Sequence, residues 1–281
     1  MTGSGQQILP PPRLTIGDID IHAFTDGLLP TTGNVMLGIT PEDVERMIGV
    51  PADATLTMSV NEYVFRVGGK TVLIDTGAAD RMYPTLGLLP ENLRAAGVEP
   101  AAVDVVLLTH LHGDHMHGLV GADGLATFPN AEVVLHEAEA AFWIDKQPTG
   151  IPAVDNNLPH VRRNLAPYRG RIRTVSAGET LRGVRAHLCP GHTPGHTAWI
   201  IESNGVAAIM WGDLVHLEKV QVARPEVGVR FDIDPEMAAR SRRRTFEMCV
   251  AEGFRILGAH LSYPGFATLE REGQGFRIAA I

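Results

Sequence analysis

Short apolar runs recur along this chain, and most of them stop at a glycine, an aspartate or a histidine. The stretch DIDIHAFTDG alternates apolar and polar positions, which predicts a strand running into a turn at Asp26–Gly27. TPEDVERMIG offers Thr40 as an N-cap, Pro41 at the first helical position and Gly49 after the end, so a short helix is expected there. VNEYVFRVGGKTVLIDTG reads as a hairpin, with strands over 60–67 and 71–74, a turn at Gly68–Gly69 and an end at Asp75. PENLRAAGVEPAAVDVVLLTH predicts a helix, a linker and a buried strand over Val105–Leu108. AEVVLHEAEAAFW repeats the strand-then-helix theme.

The second half is more broken. Pro148, Pro152, Pro159 and Pro167 mark residues 147–168 as an irregular excursion, a lid or a pocket wall. RIRTVSAGETLRGVRAHLCPGHTPGHTAWIIES reads as several short strands, and GVAAIMWGD as another apolar strand ending in an aspartate. A helix starts at Pro235 with Asp234 as its cap, and FRILGAH forms a last strand ending at His260. VLIDTG and AIMWGD echo each other, as two similar halves packed face to face would. Hairpins mixed with strand–helix units give an α+β chain of sheets covered by helices. Residues 1–13, rich in Gly, Ser and Pro, are expected to be a flexible N-terminal arm, and 14–281 a single domain.

Composition narrows the class. At 281 residues, 44% hydrophobic and 20% charged, the chain can bury a layered core. A formal charge of -8 argues against a nucleic-acid partner. Two distant cysteines, Cys189 and Cys249, make neither a disulfide framework nor a CxxC pair. No basic leader precedes an apolar core at the start, and no apolar run is long enough to span a bilayer, so a cytoplasmic protein without a membrane partner is expected.

The chemistry is concentrated in LLTHLHGDHMHG, residues 107–118. Alternate residues of an extended segment point the same way, so His110 and His112 can share one metal ion. Gly113 lets the chain turn, after which Asp114 and His115 can face a second ion. His117 is read as a rim or helix-start residue. Four ligands undersupply two metals, and further candidates stand at other strand ends: His192, Asp213, His260 and Asp75.

The succession LIDTG, THLHGDH, PGHTPGHT, WGD and GAH resembles, in order, the five motifs of the metallo-β-lactamase-fold hydrolases, over residues 60–265. In finer detail, THLHGDHMHGL, WGDLVH and AHLSYPGF look most like the branch containing methyl parathion hydrolase and related lactonases. The resemblance implies an αββα sandwich, two mixed sheets face to face with helices outside. It implies one metal on His110, His112 and His192, another on Asp114, His115 and His260, and Asp213 bridging both. Asp75 would orient the histidine loop, and His196 would stand behind His192 or in the wall. The ions would be divalent, zinc first, with iron, manganese or cobalt as alternatives.

Such a pair of metals would activate a bridging water to attack a lactone, ester or phosphotriester centre, with Asp114 passing the proton. The alternatives are a glyoxalase-type thioesterase and a mononuclear-iron sulfur dioxygenase. Phe142, Trp143, His216, Tyr263 and Phe266 are the candidates for the wall of a pocket taking a small hydrophobic ester or lactone. Leu28, Leu29 and Met58 are weaker candidates. The run Arg242–Arg244 is expected to be a solvated helix face or a subunit contact, and a homodimer is carried by the resemblance alone.

Overall fold

In a computed structural model, residues 10–144 and 146–281 are described. The first half runs through β1 (Arg13–Ile16), β2 (Ile19–Thr31), β3 (Met36–Leu37), α1 (Pro41–Ile48), β4 (Leu56–Val67), β5 (Lys70–Ile74) and α2 (Leu89–Ala95). There follow β6 (Val105–Leu107), α3 (Gly113–Met116), β7 (Glu132–His136), α4 (Glu137–Trp143), α5 (Pro152–Leu165) and β8 (Ile172–Val175). The second half holds β9 (Gly178–Leu181), β10 (Val184–Leu188), β11 (Thr197–Ser203), β12 (Val206–Met210), α6 (Glu218–Gln221) and β13 (Gly228–Val229). It ends with α7 (Pro235–Glu252), β14 (Arg255–Leu257), β15 (Phe266–Glu272) and β16 (Gly275–Ala280). The expected arm falls mainly on residues 1–9, outside the described residues.

Among the described residues, two seven-stranded mixed sheets dominate, ordered β1-β2-β4-β5-β6-β7-β8 and β16-β15-β14-β12-β11-β10-β9. The pleat explains why they stack. Val105 and Leu107 of β6 point into the core between the sheets, beside Trp199, Ile201 and Met210. Val106 and Leu108 point the other way, into a core shared with Leu93 of α2, Trp143 of α4 and Leu158 of α5. All four β6-region side chains are fully buried, each worth about 1.5–3 kcal/mol of transfer from water. A third core joins the second sheet to Phe246 and Cys249 of α7. The result is the four-layer αββα sandwich.

The echo between VLIDTG and AIMWGD has a topological counterpart. β5 leaves an antiparallel hairpin with β4 and pairs in parallel with β6; β12 leaves one with β11 and pairs in parallel with β14. Asp75 and Asp213 therefore emerge just past the C-terminal ends of equivalent interior strands.

Three expectations are corrected. Asp26–Gly27 is a bulge inside β2, which continues to Thr31, because the Asp26 carboxylate accepts N–H bonds from Ala78, Gly87 and Leu89 instead of closing a turn. Much of the 147–168 excursion is the helix α5. Val154, Leu158, Val161 and Leu165 recur at helical spacing and are buried, and Pro159 sits on the exposed side, so packing outweighs its missing N–H. The strand before His260 is not the last: β15 and β16 extend the second sheet beyond it.

Candidate metal centre

The loops at one end of both sheets converge. His110, His112, His192 and Asp213 place their ligand atoms within 4.8 Å of one another, and so do Asp114, His115, Asp213 and His260. Asp213 belongs to both groups. Its two oxygens divide the work: Oδ2 lies 3.1 Å from His192 Nε2 and 3.6 Å from His110 Nε2. Oδ1 lies 2.9 Å from His115 Nε2 and 3.1 Å from His260 Nε2. Asp114 Oδ2 approaches His260 and His115 at 3.5 and 3.6 Å.

The rings are aimed from behind. His115 Nδ1 donates to Asp75 Oδ2 at 2.8 Å, His192 Nδ1 to Asp232 Oδ1 at 2.8 Å, and His260 Nδ1 to the Ser59 carbonyl at 2.9 Å. Thr109 gives its hydroxyl proton to Asp75, so that hydroxyl accepts from His110 Nδ1, 3.1 Å away. With each Nδ1 committed to these partners, the four Nε2 atoms turn toward Asp213, where they would offer lone pairs to a bound cation. His110, His115 and His260 Nε2, together with Asp213 Oδ1, are buried without a hydrogen-bond partner. Buried lone pairs left unpaired are costly, and a cation satisfies them. The residues therefore fit a pair of metal ions.

His196 does not join the ligands. Its Nε2 accepts the Asp213 backbone N–H at 3.0 Å, and its Nδ1 donates to the Cys189 carbonyl at 3.1 Å, so it holds Asp213 by the main chain. Asp75 likewise binds Thr109 N and Oγ1 and His115. Electrostatics follow from this packing. Burial opposes the imidazolium of His115, yet Asp213, Asp114 and Asp75 outweigh it and hold its pKa well above the usual value. Burial likewise opposes His192, but Asp213 and Asp232 raise it to about 9. Burial, reinforced by the neighbouring His192 charge, pushes His196 and His112 each down to about 3. The surrounding imidazoles overcome burial at Asp213 and hold its carboxyl well below the carboxylate range.

A cavity of about 270 Å³ opens in front of Asp114 and Asp213, walled by Leu29, Met58, Met82, Phe231 and Ile233. His216 lines it, with Nε2 3.0 Å from Asp213 Oδ2. The other expected wall residues lie elsewhere. Trp143 is fully buried, donates to Glu139 Oε1 and backs the His112 ring edge-on, so it supports the site from inside the core. Phe142 packs on Trp143 beneath Lys146. Phe266 sits on β15 against Tyr63. Tyr263 is 41% exposed and donates its hydroxyl to the Ala23 carbonyl. Leu28 faces solvent, since its neighbour Leu29 takes the inward position on β2.

Sequence reasoning missed two supports. Asp232 lies in an irregular segment with no motif. Glu139 looked like any helix-face acid, yet it is fully buried and accepts from Leu111 N, Trp143 Nε1, Thr193 Oγ1 and Gly195 N. It thereby clamps the His112 segment to the His192 loop. His117, expected as a rim or helix-start residue, is no rim residue: it starts a short helical turn, His117–Leu119, and is buried with Nδ1 hydrogen-bonded to Asn164.

The model of the metallo-beta-lactamase superfamily matches residues 57–250. The chain belongs to the metallo-β-lactamase superfamily. The hydrolase AbOPH, described as in the beta lactamase superfamily, is 31% identical, with 98% of this chain and 99% of that one aligned at a TM-score of 0.91. AidC, a dizinc quorum-quenching lactonase, is 22% identical over 97% of each chain at a TM-score of 0.87, a likeness of fold. Among curated relatives, the atrochrysone carboxyl ACP thioesterase of Passalora fulva is 28% identical over 63% of this chain and 44% of its own length. The N-acyl homoserine lactonase AiiB of Agrobacterium fabrum is 27% identical over 46% of each. The chain spans about half the length of the curated relatives it matches. Among the described residues no helix is long and apolar enough to cross a membrane.

Proposed function

We propose that this chain is a dinuclear metal-dependent hydrolase of an apolar lactone or ester, phosphotriesters included, akin to the methyl parathion hydrolase and lactonase branch. The observation that carries the reading is the split Asp213 carboxylate, one oxygen toward each group of ligands. His110, His112 and His192 would hold one ion, Asp114, His115 and His260 the other, and Asp213 both. Imidazole and carboxylate donors suit zinc, with iron, manganese or cobalt as substitutes. When bound, the ions supply an acidified water and polarise the scissile carbonyl or phosphoryl oxygen.

The chain's own residues do the rest. Asp114 stands at the cavity floor, where its carboxylate can take a proton and return it to the leaving oxygen. Leu29, Met58, Phe231 and Ile233 exclude water and favour an apolar substrate body. A thioester is the second substrate class, favoured by the similarity to the atrochrysone carboxyl ACP thioesterase. The complete second group, with Asp114, His115 and His260, weighs against the mononuclear-iron dioxygenase.

The test combines elemental analysis of the purified protein with a panel of lactones, aryl esters, phosphotriesters and thioesters. Two divalent ions per chain and chelator-sensitive hydrolysis are expected. A single iron with sulfur oxidation, or no hydrolysis of any panel member by metal-loaded protein, overturns the reading.

A further inference from the structure

A second cavity, about 370 Å³, opens between the end of α1, the start of β4 and α6. Ile48, Leu56, Met58 and Leu217 give it an apolar side, His216 and His260 lie on its inner side, and Thr55, Thr57, Glu218, Lys219 and Ser262 complete the lining. Two side chains, Met58 and His216, line both this cavity and the one in front of Asp213. Each is only 4% exposed, so together they form a thin partition.

We propose that the outer cavity is a second substrate subsite, which takes an apolar arm of the ester or lactone, and that Met58 sets how long an arm is accepted. The proposal rests on the hydrolase reading above. Its first support is size. The inner cavity of about 270 Å³ falls below the roughly 300–1,000 Å³ of ordinary ligand pockets. The second support is position. Met58 and His216 line both cavities and His216 Nε2 lies 3.0 Å from Asp213 Oδ2, so the partition stands directly beside the carboxylate shared by the two ligand groups.

The third support is the unequal stiffness of the partition. His216 is held at its ring by Asp213 and at its backbone N–H by Gln221 Oε1, and it stacks on His260. Met58 makes no such bond; it is unbranched, has several rotatable bonds and lies in a cluster with Leu29, Val60 and Leu217. Met58 is therefore the part that swings. The nearby Lys219 ammonium already donates to the Ile48 carbonyl, at 3.3 Å, so the arm needs no anionic end.

The experiment uses metal-loaded protein and aryl esters from acetyl to decanoyl. Leu56→Trp and Ser262→Trp fill the outer cavity from opposite walls. Each lowers the decanoyl-to-acetyl ratio of kcat/KM at least about tenfold, chiefly through KM, whereas Met58→Ala raises it. Calorimetric binding of decyl methyl ketone, a non-hydrolysable analogue, is lost in both tryptophan variants. An unchanged ratio in both overturns the proposal. If the wild type hydrolyses no aryl ester, the hydrolase reading still stands or falls on the other substrate classes, and ketone binding decides the subsite: no binding by the wild type, or binding that both tryptophan variants retain, overturns it. Melting curves of each variant show that the fold is kept.

Discussion

His192 Nδ1 lies 2.8 Å from Asp232 Oδ1, and that contact decides which ring nitrogen His192 presents to Asp213. A carboxylate behind a ligating imidazole fixes its tautomer and raises its basicity. Asp232 is also anchored, because its Oδ2 accepts the Val229 N–H at 2.9 Å.

Asp232→Asn removes the charge and keeps the shape. The affinity for divalent metal falls about 10- to 100-fold, read by competition with a calibrated chelator. Equal affinities in variant and wild type would show that Asp232 does not orient His192.

Removal of metal destabilises the protein. The five imidazoles and two carboxylates of the two ligand groups converge on one buried spot, and lone pairs left there are unpaired. Binding to the folded state alone adds about 4 kcal/mol when the ion is at a thousandfold its dissociation constant. Dialysis against a chelator therefore lowers the melting temperature, and zinc restores it. In Asp213→Ala, which lacks the shared carboxylate, zinc restores little of the loss. A melting temperature indifferent to chelator in the wild type would count against the site.

Glu139→Ala strands four buried donors at once: Leu111 N, Trp143 Nε1, Thr193 Oγ1 and Gly195 N. Each unsatisfied donor costs about 1–3 kcal/mol, so a total loss of about 4 kcal/mol or more is expected in urea unfolding. Metal affinity falls with it, since the clamp between the two ligand loops is gone. A loss under about 1 kcal/mol would mean that water replaces the carboxylate.

Sheets covered by helices and candidate ligands at strand ends were legible because they rest on short-range pattern, whereas the αββα sandwich was implied by the resemblance of the ordered motifs. The Gly68–Gly69 turn marked β4 and β5, a buried apolar run marked β6, caps marked α1 and α7, and the histidine spacing pointed to one loop. What escaped depends on partners distant in sequence. Trp143 reads as a pocket aromatic until Glu139 and His112 are seen on either side of it. The four prolines of 147–168 hid α5 because local breakers outweigh a buried stripe in the sequence, whereas the core restores it in the fold. Arg242 misled most, as a charge in a basic run reads as solvated.

In the fold Arg242 is fully buried. It donates to the carbonyls of Leu214, Pro225 and Val227, joining α7 to the segment that follows Asp213. Burial lowers its pKa to about 10, which leaves it charged at neutral pH. Arg242→Ala is expected to cost about 3 kcal/mol or more, and Arg242→Lys to recover less than half, because an ammonium cannot reproduce the planar fork. Neighbouring Arg244, exposed, tolerates alanine with little change. Equal effects at 242 and 244 would contradict this assignment.

The bulge at Asp26 carries a pH dependence. Burial lifts its carboxyl to about 6, against the pull of the N–H groups of Leu89, Gly87 and Ala78. The unfolded chain keeps the ordinary value of 3.8. Between the two values the folded state binds more protons than the unfolded one, so the contribution is complete below 3.8 and is lost as pH rises through about 6. Linkage then makes the wild type lose about 1.4 kcal/mol between about pH 5 and about pH 7.5 relative to Asp26→Asn, which cannot titrate. Asparagine leaves one of the three N–H groups poorly served, so the absolute stabilities differ for that reason as well. The slope of the difference isolates the proton. Urea unfolding of both proteins at the two pH values, with the same metal content, reads it, and parallel pH profiles would remove Asp26 as the titrating group.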